Sequence, residues 1–169
     1  MRSIVSPASS RDAREIAALR SAVAEDMTDK HGYGPWSARA SQALVQRQLR
    51  ATKVLVARRG EAPEQRIVGT VRLMQANQVL FDYRAFTRAE TALYVIGLAV
   101  SPQARGQGVG RELMESAKAA ARAWPAQALW LDTYENAAGA GRFYLKCGFR
   151  KVGTSTLHGS ALSYYEWTG

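Results

Sequence analysis

Apolar residues follow two different spacings along this sequence, and each spacing predicts a different type of element. Short apolar runs bounded by polar or glycine-containing turns predict seven strands, over residues 4–5, 54–57, 67–74, 93–100, 128–132, 149–156 and 161–167. The run 93–100 is apolar at nearly every position, which is typical of a central strand buried on both faces. Gly97 interrupts this run and predicts a bulge or a close backbone approach.

Apolar positions that recur every three or four residues predict four helices. Ser9 and Asp12 have the spacing of a capping box at the start of the first helix. Ser37 is expected to cap the second helix, and Pro125 to end the third. The apolar positions that mark the first two helices run from Ile16 to Met27 and from Leu44 to Leu49. The third is expected over 109–124 and the fourth over 137–146, with Gly148 just after it. This order predicts an α/β fold with one mixed sheet.

Length and composition limit the class of protein. A chain of 169 residues with 47% hydrophobic residues is expected to form one globular domain over 1–169. No apolar run reaches the roughly 18 residues of a membrane span, and the N-terminus lacks the apolar segment of a secretory signal. We therefore expect a cytoplasmic protein without membrane contact. With a single cysteine, Cys147, we expect no metal site.

The charge balance favours anionic partners without choosing among them. The sequence has 23 Lys and Arg against 14 Asp and Glu, a formal net charge of +9. Nucleic acid and a phosphorylated cofactor would both be attracted by this charge. The basic residues are scattered through segments expected to fold, so a nucleic-acid-binding domain would rest on net charge alone. We do not expect nucleic acid as the partner.

The segment with the most specific chemistry joins the central strand to the third helix. Glycines at 106, 108 and 110 alternate with Gln107 and Val109, directly before the helix. Glycine lets backbone N–H groups approach a ligand closely, and the helix N-terminus carries partial positive charge, so this segment predicts a diphosphate site. Arg105 and Arg111 would add charge.

Other phosphate-binding loops fit this segment less well. The pattern of ATP-binding loops, G-x-x-x-x-G-K-[ST], is absent. The dinucleotide pattern G-x-G-x-x-G is nearly matched, and Asp132 follows at a suitable distance, but the spacing here is G-x-G-x-G. A glycine-rich turn without any ligand is a further alternative.

Arg105-Gly106-Gln107-Gly108-Val109-Gly110 resembles the acetyl-CoA loop R/Q-x-x-G-x-G/A of the GCN5-related N-acetyltransferase (GNAT) superfamily. The segment Asn136 to Phe149 resembles the same family's N-x-x-A-x-x-x-Y-x-x-x-G-F helix, with one extra residue between Asn136 and Tyr144. The resemblance implies the acyl-CoA N-acyltransferase fold: a single domain whose mostly antiparallel sheet of about seven strands has helices on both faces and splayed central strands.

The resemblance also implies roles for particular residues. Acetyl-CoA would be the cosubstrate, with no metal, and Tyr144 would give a proton to the departing thiolate. The acetyl group and pantetheine would lie along the central strand, and the diphosphate at the glycine loop. The implied cofactor-binding residues are Leu98, Ala99, Val100, Arg105, Gly106, Gln107, Gly108, Val109, Gly110, Arg111, Asn136 and Tyr144.

The residues that would receive the amine are less well marked. An alkylamine has an ordinary pKa of about 10.4, so a base should help to remove its proton. Asp132 is our candidate base, ahead of Glu135 and His31. Tyr33, Trp36, Asp82 and Tyr94 are expected to line the acceptor cleft.

These inferences predict an N-acetyltransferase that transfers acetyl from acetyl-CoA directly to a primary amine in a ternary complex. The acceptor is either a small molecule or a protein amine. By the habit of the family we also expect a homodimer. A non-catalytic acyl-CoA sensor is the alternative from a different class, because the base is weakly marked.

Overall fold

A computed structural model describes residues 2–76, 83–157 and 159–169. Seven strands and four α-helices follow one another in an α/β order. The strands are β1 (Ile4–Pro7), β2 (Lys53–Arg59), β3 (Arg66–Gln75), β4 (Ala92–Val100), β5 (Ala128–Tyr134), β6 (Arg150–Leu157) and β7 (Ser160–Thr168). The helices are α1 (Ala13–His31), α2 (Gln42–Ala51), α3 (Val109–Ala123) and α4 (Gly141–Lys146).

The strands form one sheet in the order β1-β2-β3-β4-β5-β7-β6. Pairing is parallel between β4 and β5 and antiparallel in the pairs β1–β2, β2–β3, β5–β7 and β6–β7. The β4–β5 ladder ends at the pair Tyr94 and Trp130, although both strands continue beyond it. The mixed, mostly antiparallel sheet expected from the sequence is therefore confirmed.

Contacts between Cα atoms divide the chain into two compact units. The first unit comprises Met1–Leu73 and Ile96–Ala117, and the second comprises Met74–Val95 and Lys118–Gly169. The first unit thus contains the loop before α3, whereas the second contains α4, β5, β6 and β7.

In the first unit, helices cover both faces of the sheet. Val54 and Val56 of β2 belong to a buried cluster with Ile16 of α1 and Val45 of α2. Gly69 of β3 lies on the opposite face, where a Cβ would come within 2.9 Å of the Val109 and Leu113 side chains of α3. Glycine at this position therefore lets α3 approach the sheet closely.

A bulge in β3 makes this arrangement possible. The register of β2 and β3 shifts between Ala57 and Arg58, which pair with Gly69 and Ile67 respectively and so leave Val68 as an extra residue. Side chains alternate across a strand, so one inserted residue reverses the faces on its two sides. Ile67 can therefore join the cluster of α1 while Gly69 faces α3.

The expected starts of two helices were wrong. α2 begins at Gln42 and is capped by Ser41, whose hydroxyl accepts the Leu44 N–H at 3.1 Å. Ser37 instead ends a short 3₁₀ turn, where its hydroxyl accepts the Gly34 N–H at 3.0 Å. The Ser9 and Asp12 contact expected before α1 is present, since the Asp12 carboxylate accepts the Ser9 N–H at 2.7 Å.

α4 begins at Gly141 rather than at residue 137. The preceding residues form a tight turn in which the Asn136 carbonyl accepts the Gly139 N–H at 2.9 Å. A Cβ at Gly139 would come within 1.7 Å of the Tyr134 carbonyl oxygen, so only glycine fits there. The helical spacing in the sequence did not reveal that close approach.

The second unit has an aromatic core and a buried carboxylate. Phe86 stacks on Trp130 with ring centroids 4.7 Å apart. Glu166 of β7 is fully buried and accepts the Thr87 N–H at 2.8 Å and the Thr87 hydroxyl at 2.6 Å. It also forms an ion pair with Arg150 of the neighbouring strand β6.

Replacing Glu166 by Gln tests this network. Burial opposes ionisation of Glu166, but hydrogen bonds from Thr87 and Arg150 outweigh it and hold its pKa below the ordinary 4.5. The stabilisation is therefore present above pH 4.5 and is lost as the pH falls through the lowered pKa. We expect Glu166→Gln to reduce the free energy of unfolding by about 1–3 kcal/mol at pH 7.

Urea unfolding of both proteins from pH 7 to pH 3 measures this effect. The difference between them should narrow below pH 4.5. Glu61→Gln, at an exposed position, is the matched control and should have no effect. A difference that is independent of pH would contradict the role given to the ionised carboxylate.

Candidate active site

The loop between β4 and α3 presents an open stretch of backbone. Gly106 and Gly108 have φ angles of +73° and +87°, which side chains other than glycine rarely adopt. Both glycines are exposed, and a Cβ at either one would meet nothing within 4 Å. α3 starts at Val109, and the first N–H groups of a helix have no partner within it. This backbone is therefore accessible to an anion.

Arg59, the last residue of β2, fixes the loop in place. Its Nη1 donates to Gln107 Oε1 at 2.6 Å and its Nη2 to the Gln107 carbonyl oxygen at 2.9 Å. Gln107 also donates from Nε2 to the Gln103 carbonyl at 2.8 Å. The Gln107 side chain, predicted to bind cofactor, thus stabilises the loop. Sequence reasoning missed Arg59, since no local pattern links it to a residue 48 positions away.

The two arginines of the glycine loop differ in their surroundings. Arg105 is ion-paired with Asp26 of α1, so its charge is compensated within the protein. Lys30 lies 2.8 Å from the same carboxylate, and the hydrogen bonds from Lys30 and Arg105 lower the pKa of Asp26. Arg111 lies in the first turn of α3 and is exposed. Arg111 is therefore the more available of the two for an added phosphate.

The remaining predicted cofactor residues of the first unit lie on β4 and α3. Leu98 and Val100 are half-buried, whereas Ala99 is buried. Val109 is also buried, so it offers a ligand only its backbone. Gly110 is half-buried in the first turn of α3.

Gly97 forms the expected irregularity in β4. Its φ of +65° lies in the left-handed region, and the residue is exposed although Leu93 to Val95 of the same strand are buried. An exposed backbone position in a central strand shows that the strand is open to solvent there. The backbone of Gly97 is therefore accessible to a ligand.

Tyr94 and Asp132 are joined by a short hydrogen bond. The Tyr94 hydroxyl donates to Asp132 Oδ1 at 2.6 Å. Burial raises the pKa of Asp132, and the Tyr94 hydrogen bond opposes that rise. Tyr94 is fully buried against Phe86, so its ring does not form an exposed surface. Its hydroxyl instead acts on the half-buried Asp132 carboxylate, whose pKa the hydrogen bond lowers.

Tyr144 of α4 lies in an aromatic cluster. Its ring is 5.3 Å from Phe143, 6.0 Å from Phe149 and 6.1 Å from Tyr165, measured between centroids. Burial is the main cause that raises the pKa of Tyr144, followed by electrostatic repulsion from the Asp132 carboxylate and by an electrostatic contribution from Cys147. The phenol therefore stays protonated at neutral pH and can act only as a proton donor.

Asn136 and Glu135 are engaged in local contacts. Asn136 is exposed, and its Oδ1 accepts the Ala138 N–H at 2.9 Å within the turn before α4. Glu135 is ion-paired with Lys151 and bonded to the Ser163 hydroxyl. These hydrogen bonds, the first of them from Lys151, hold the pKa of Glu135 below its ordinary value, so it is a weaker base than Asp132.

The loop after α1 folds on itself. The Trp36 ring covers Gly34, where a Cβ would come within 2.6 Å of it, and its Nε1 donates to the Gly32 carbonyl at 2.9 Å. His31 is exposed and contacts Trp36 edge to face at 6.3 Å. Tyr33 is 92% exposed and is available to a ligand. Asp82, also predicted for the acceptor cleft, lies outside the described residues.

Two further features concern cofactors and membranes. Over residues 2–76, 83–157 and 159–169, no three His, Cys, Asp or Glu side chains are grouped so that they could hold a metal ion. No helix in the described part of the chain combines the length and apolar character of a transmembrane segment.

Comparison with known proteins agrees with this geometry. Residues 17–149 match the family described as Acetyltransferase (GNAT) family. An N-acetyltransferase from Staphylococcus aureus Mu50 superposes with a TM-score of 0.75 at 18% identity, over 99% of this chain and 98% of that one. NAA60 of Arabidopsis thaliana, solved in complex with acetyl-CoA, gives 0.72 at 14% identity, over 98% of each chain.

A third structure, of histone acetyltransferase HPA2 and related acetyltransferase from Corynebacterium glutamicum ATCC 13032, has a TM-score of 0.66 at 24% identity. It covers 98% of this chain and 96% of its own. Among curated proteins, none matches the sequence. Because the family match extends over most of the sequence, this chain belongs to the acetyltransferase (GNAT) family and is an acetyl-CoA-dependent N-acetyltransferase.

Proposed function

We propose that this enzyme transfers the acetyl group of acetyl-CoA directly to a primary amine in a ternary complex. The observation that carries the proposal is the open backbone of Gly106 and Gly108 at the start of α3. A diphosphate is the anion that suits several converging N–H groups at a helix N-terminus. Arg111, exposed beside them, adds a positive charge.

The rest of the coenzyme would extend along β4. Residues 98–100 end this strand, and backbone groups at a strand edge can pair with the amides of pantetheine as an added strand does. The exposed backbone at Gly97 would place an N–H donor near the thioester carbonyl. Asn136 is proposed as an additional contact to the coenzyme.

Replacing Gly106 by Ala tests the diphosphate site. The methyl group would occupy the space that a phosphate must enter, so the Kd for acetyl-CoA should rise at least about tenfold, or about 1.4 kcal/mol. Gly159→Ala is the matched control, because Gly159 has a φ of +80° and equally open surroundings in the turn between β6 and β7. Calorimetric titration of both variants with acetyl-CoA measures the difference.

Both substitutions impose the same backbone strain, so both variants should lose similar thermal stability. Only the Gly106→Ala variant should lose affinity for acetyl-CoA. Equal affinity of the two variants for acetyl-CoA would exclude the loop as the diphosphate site.

The chemical step needs a proton donor for the leaving group. The amine nitrogen attacks the thioester carbonyl carbon, the C–S bond breaks, and the electron pair of that bond stays on sulfur. The amine must lose one proton and the thiolate must gain one. We propose that Tyr144, which its raised pKa keeps as a neutral phenol, donates a hydrogen bond to the departing sulfur and passes its proton to the thiolate as the C–S bond breaks.

Tyr144→Phe separates catalysis from binding. Loss of a positioned acid costs about a hundredfold or more in rate, so kcat should fall by at least that factor while the Kd for acetyl-CoA stays unchanged. Tyr165→Phe removes a hydroxyl from the same aromatic cluster and should keep kcat within about twofold. Thiol release measures kcat, and calorimetry measures Kd. A chain that only senses acyl-CoA would show no turnover with any amine in the wild type.

We propose Asp132 as the base that receives the proton of the amine. Its carboxylate is half-buried and its pKa lies above the ordinary 3.8, which strengthens it as a base. The Tyr94 hydroxyl orients the carboxylate through the 2.6 Å hydrogen bond. Tyr33 and Trp36 are proposed to contact the acceptor, with Asp82 from the segment outside the described residues.

The pH profile tests the pair of Tyr94 and Asp132. The base must be ionised, so kcat/KM should rise with pH through the pKa of Asp132. Tyr94→Phe removes a hydrogen bond that lowers this pKa, and the acidic limb should therefore move to higher pH. Phe86→Leu, which alters the packing around Tyr94 without removing the hydrogen bond, is the control. An acidic limb at the same pH in Tyr94→Phe would contradict the assignment.

A further inference from the structure

Two arginines converge on the exposed backbone of Gly97. A Cβ built at Gly97 would lie 3.8 Å from Arg72 Nε and 3.9 Å from an Arg20 Nη2. Arg72 belongs to β3 and Arg20 to α1, so two separate elements bring these guanidinium groups together. Because Gly97 has no side chain, nothing from that position covers them.

Neither guanidinium is neutralised by a carboxylate in the described part of the chain. Arg20 donates to a neutral partner, the Gln48 side-chain oxygen, at 2.6 Å. Arg72 Nε is buried with no hydrogen-bond partner. Burial and the neighbouring charge of Arg20 lower the pKa of Arg72 to about 10.

Three acidic side chains of the same unit are paired with other cations. Asp12 is 2.7 Å from Arg58, and Asp26 is bound to Lys30 and Arg105. Glu25 is ion-paired with Arg39. These three carboxylates neutralise other basic side chains. None of them compensates the positive charge of the two arginines at Gly97.

Two like charges that lose water without gaining an anion lower the stability of a fold. An anion between them would supply the missing interaction. A carboxylate suits this position, since guanidinium groups bind its two oxygens through paired hydrogen bonds. The exposure of Gly97 gives such a group a route to the arginines.

We propose that Arg20 and Arg72 bind a carboxylate of the acceptor, which makes the acceptor a small amine that also carries a carboxylate, as amino acids do. This inference rests on the proposed function, because the β4 segment that begins at Gly97 is where the thioester is assigned. The carboxylate would hold the acceptor so that its amine reaches the thioester carbonyl beside the same strand. The two arginines then bind the carboxylate of the acceptor, while Asp132 receives the proton of its amine.

Pairs of amines that differ only in the carboxylate test the proposal. The twenty amino acids and their carboxamides serve as acceptors, with thiol release from acetyl-CoA as the readout. We expect at least one amino acid to have a kcat/KM at least about tenfold above that of its carboxamide, the factor that corresponds to 1.4 kcal/mol. Peptides that begin with Asp or Glu and end in an amide form a second arm, and they should be poor acceptors.

Variants identify the groups responsible. Arg72→Met should remove the preference for the carboxylate, mainly through a higher KM, and should leave the Kd for acetyl-CoA unchanged. It should also raise Tm, because it removes a buried charge next to another of the same sign. Arg47→Met on the exposed face of α2 removes the same charge and should keep the preference.

The outcomes separate this inference from the function on which it rests. If wild-type protein gives no heat with acetyl-CoA, the proposed function fails. If acetyl-CoA binds but carboxamides, or the amidated acidic peptides, are acetylated as well as amino acids, only the inference fails. A weaker Kd of Arg72→Met for acetyl-CoA would show that the arginines bind the coenzyme, and would also overturn the inference.

Discussion

The account depends on one constraint, the access of an anion to backbone N–H groups at the start of α3. Three features provide that access. Gly69 lets α3 approach β3, so that Val109 is buried at the first position of the helix. Gly106 and Gly108 adopt left-handed angles with open surroundings. Arg59 donates hydrogen bonds to the carbonyl and the side chain of Gln107, and these bonds fix the loop between Gly106 and Gly108. If any of these features were lost, the N-terminus of α3 would remain, but an anion would reach its N–H groups less easily.

The local arrangement of charged side chains indicates a ligand more specifically than the net charge of the protein does. The net charge of +9 attracts anions of many kinds. Some of the 23 basic residues are neutralised locally in ion pairs, such as Arg58 with Asp12 and Arg105 with Asp26. Arg20 and Arg72 beside Gly97 are half-buried and have no carboxylate partner in the part of the chain that the structure describes. Such a pair favours a specific anion far more than a scattered positive surface does.

Local sequence patterns predicted the features that are formed by neighbouring residues. The glycine loop, the irregular backbone at Gly97 and the position of Tyr144 in a helix all come from residues close together in sequence. Arg59, Arg20 and Arg72 were missed because their partners are contributed by other elements. Likewise, the spacing 137–146 looked helical, but the packing of Gly139 against the Tyr134 carbonyl imposes a turn. A tight local turn overrode the helical spacing there.

Comparing coenzyme A with pantetheine, by calorimetric titration into the full-length protein, tests the central claim most directly. The two ligands share the arm that would lie along β4, and only coenzyme A adds the diphosphate together with the phosphorylated adenosine attached to it. The account predicts that coenzyme A binds at least about a hundredfold more tightly than pantetheine, since charge-assisted hydrogen bonds contribute about 1.5–3 kcal/mol each. Equal affinities would contradict it.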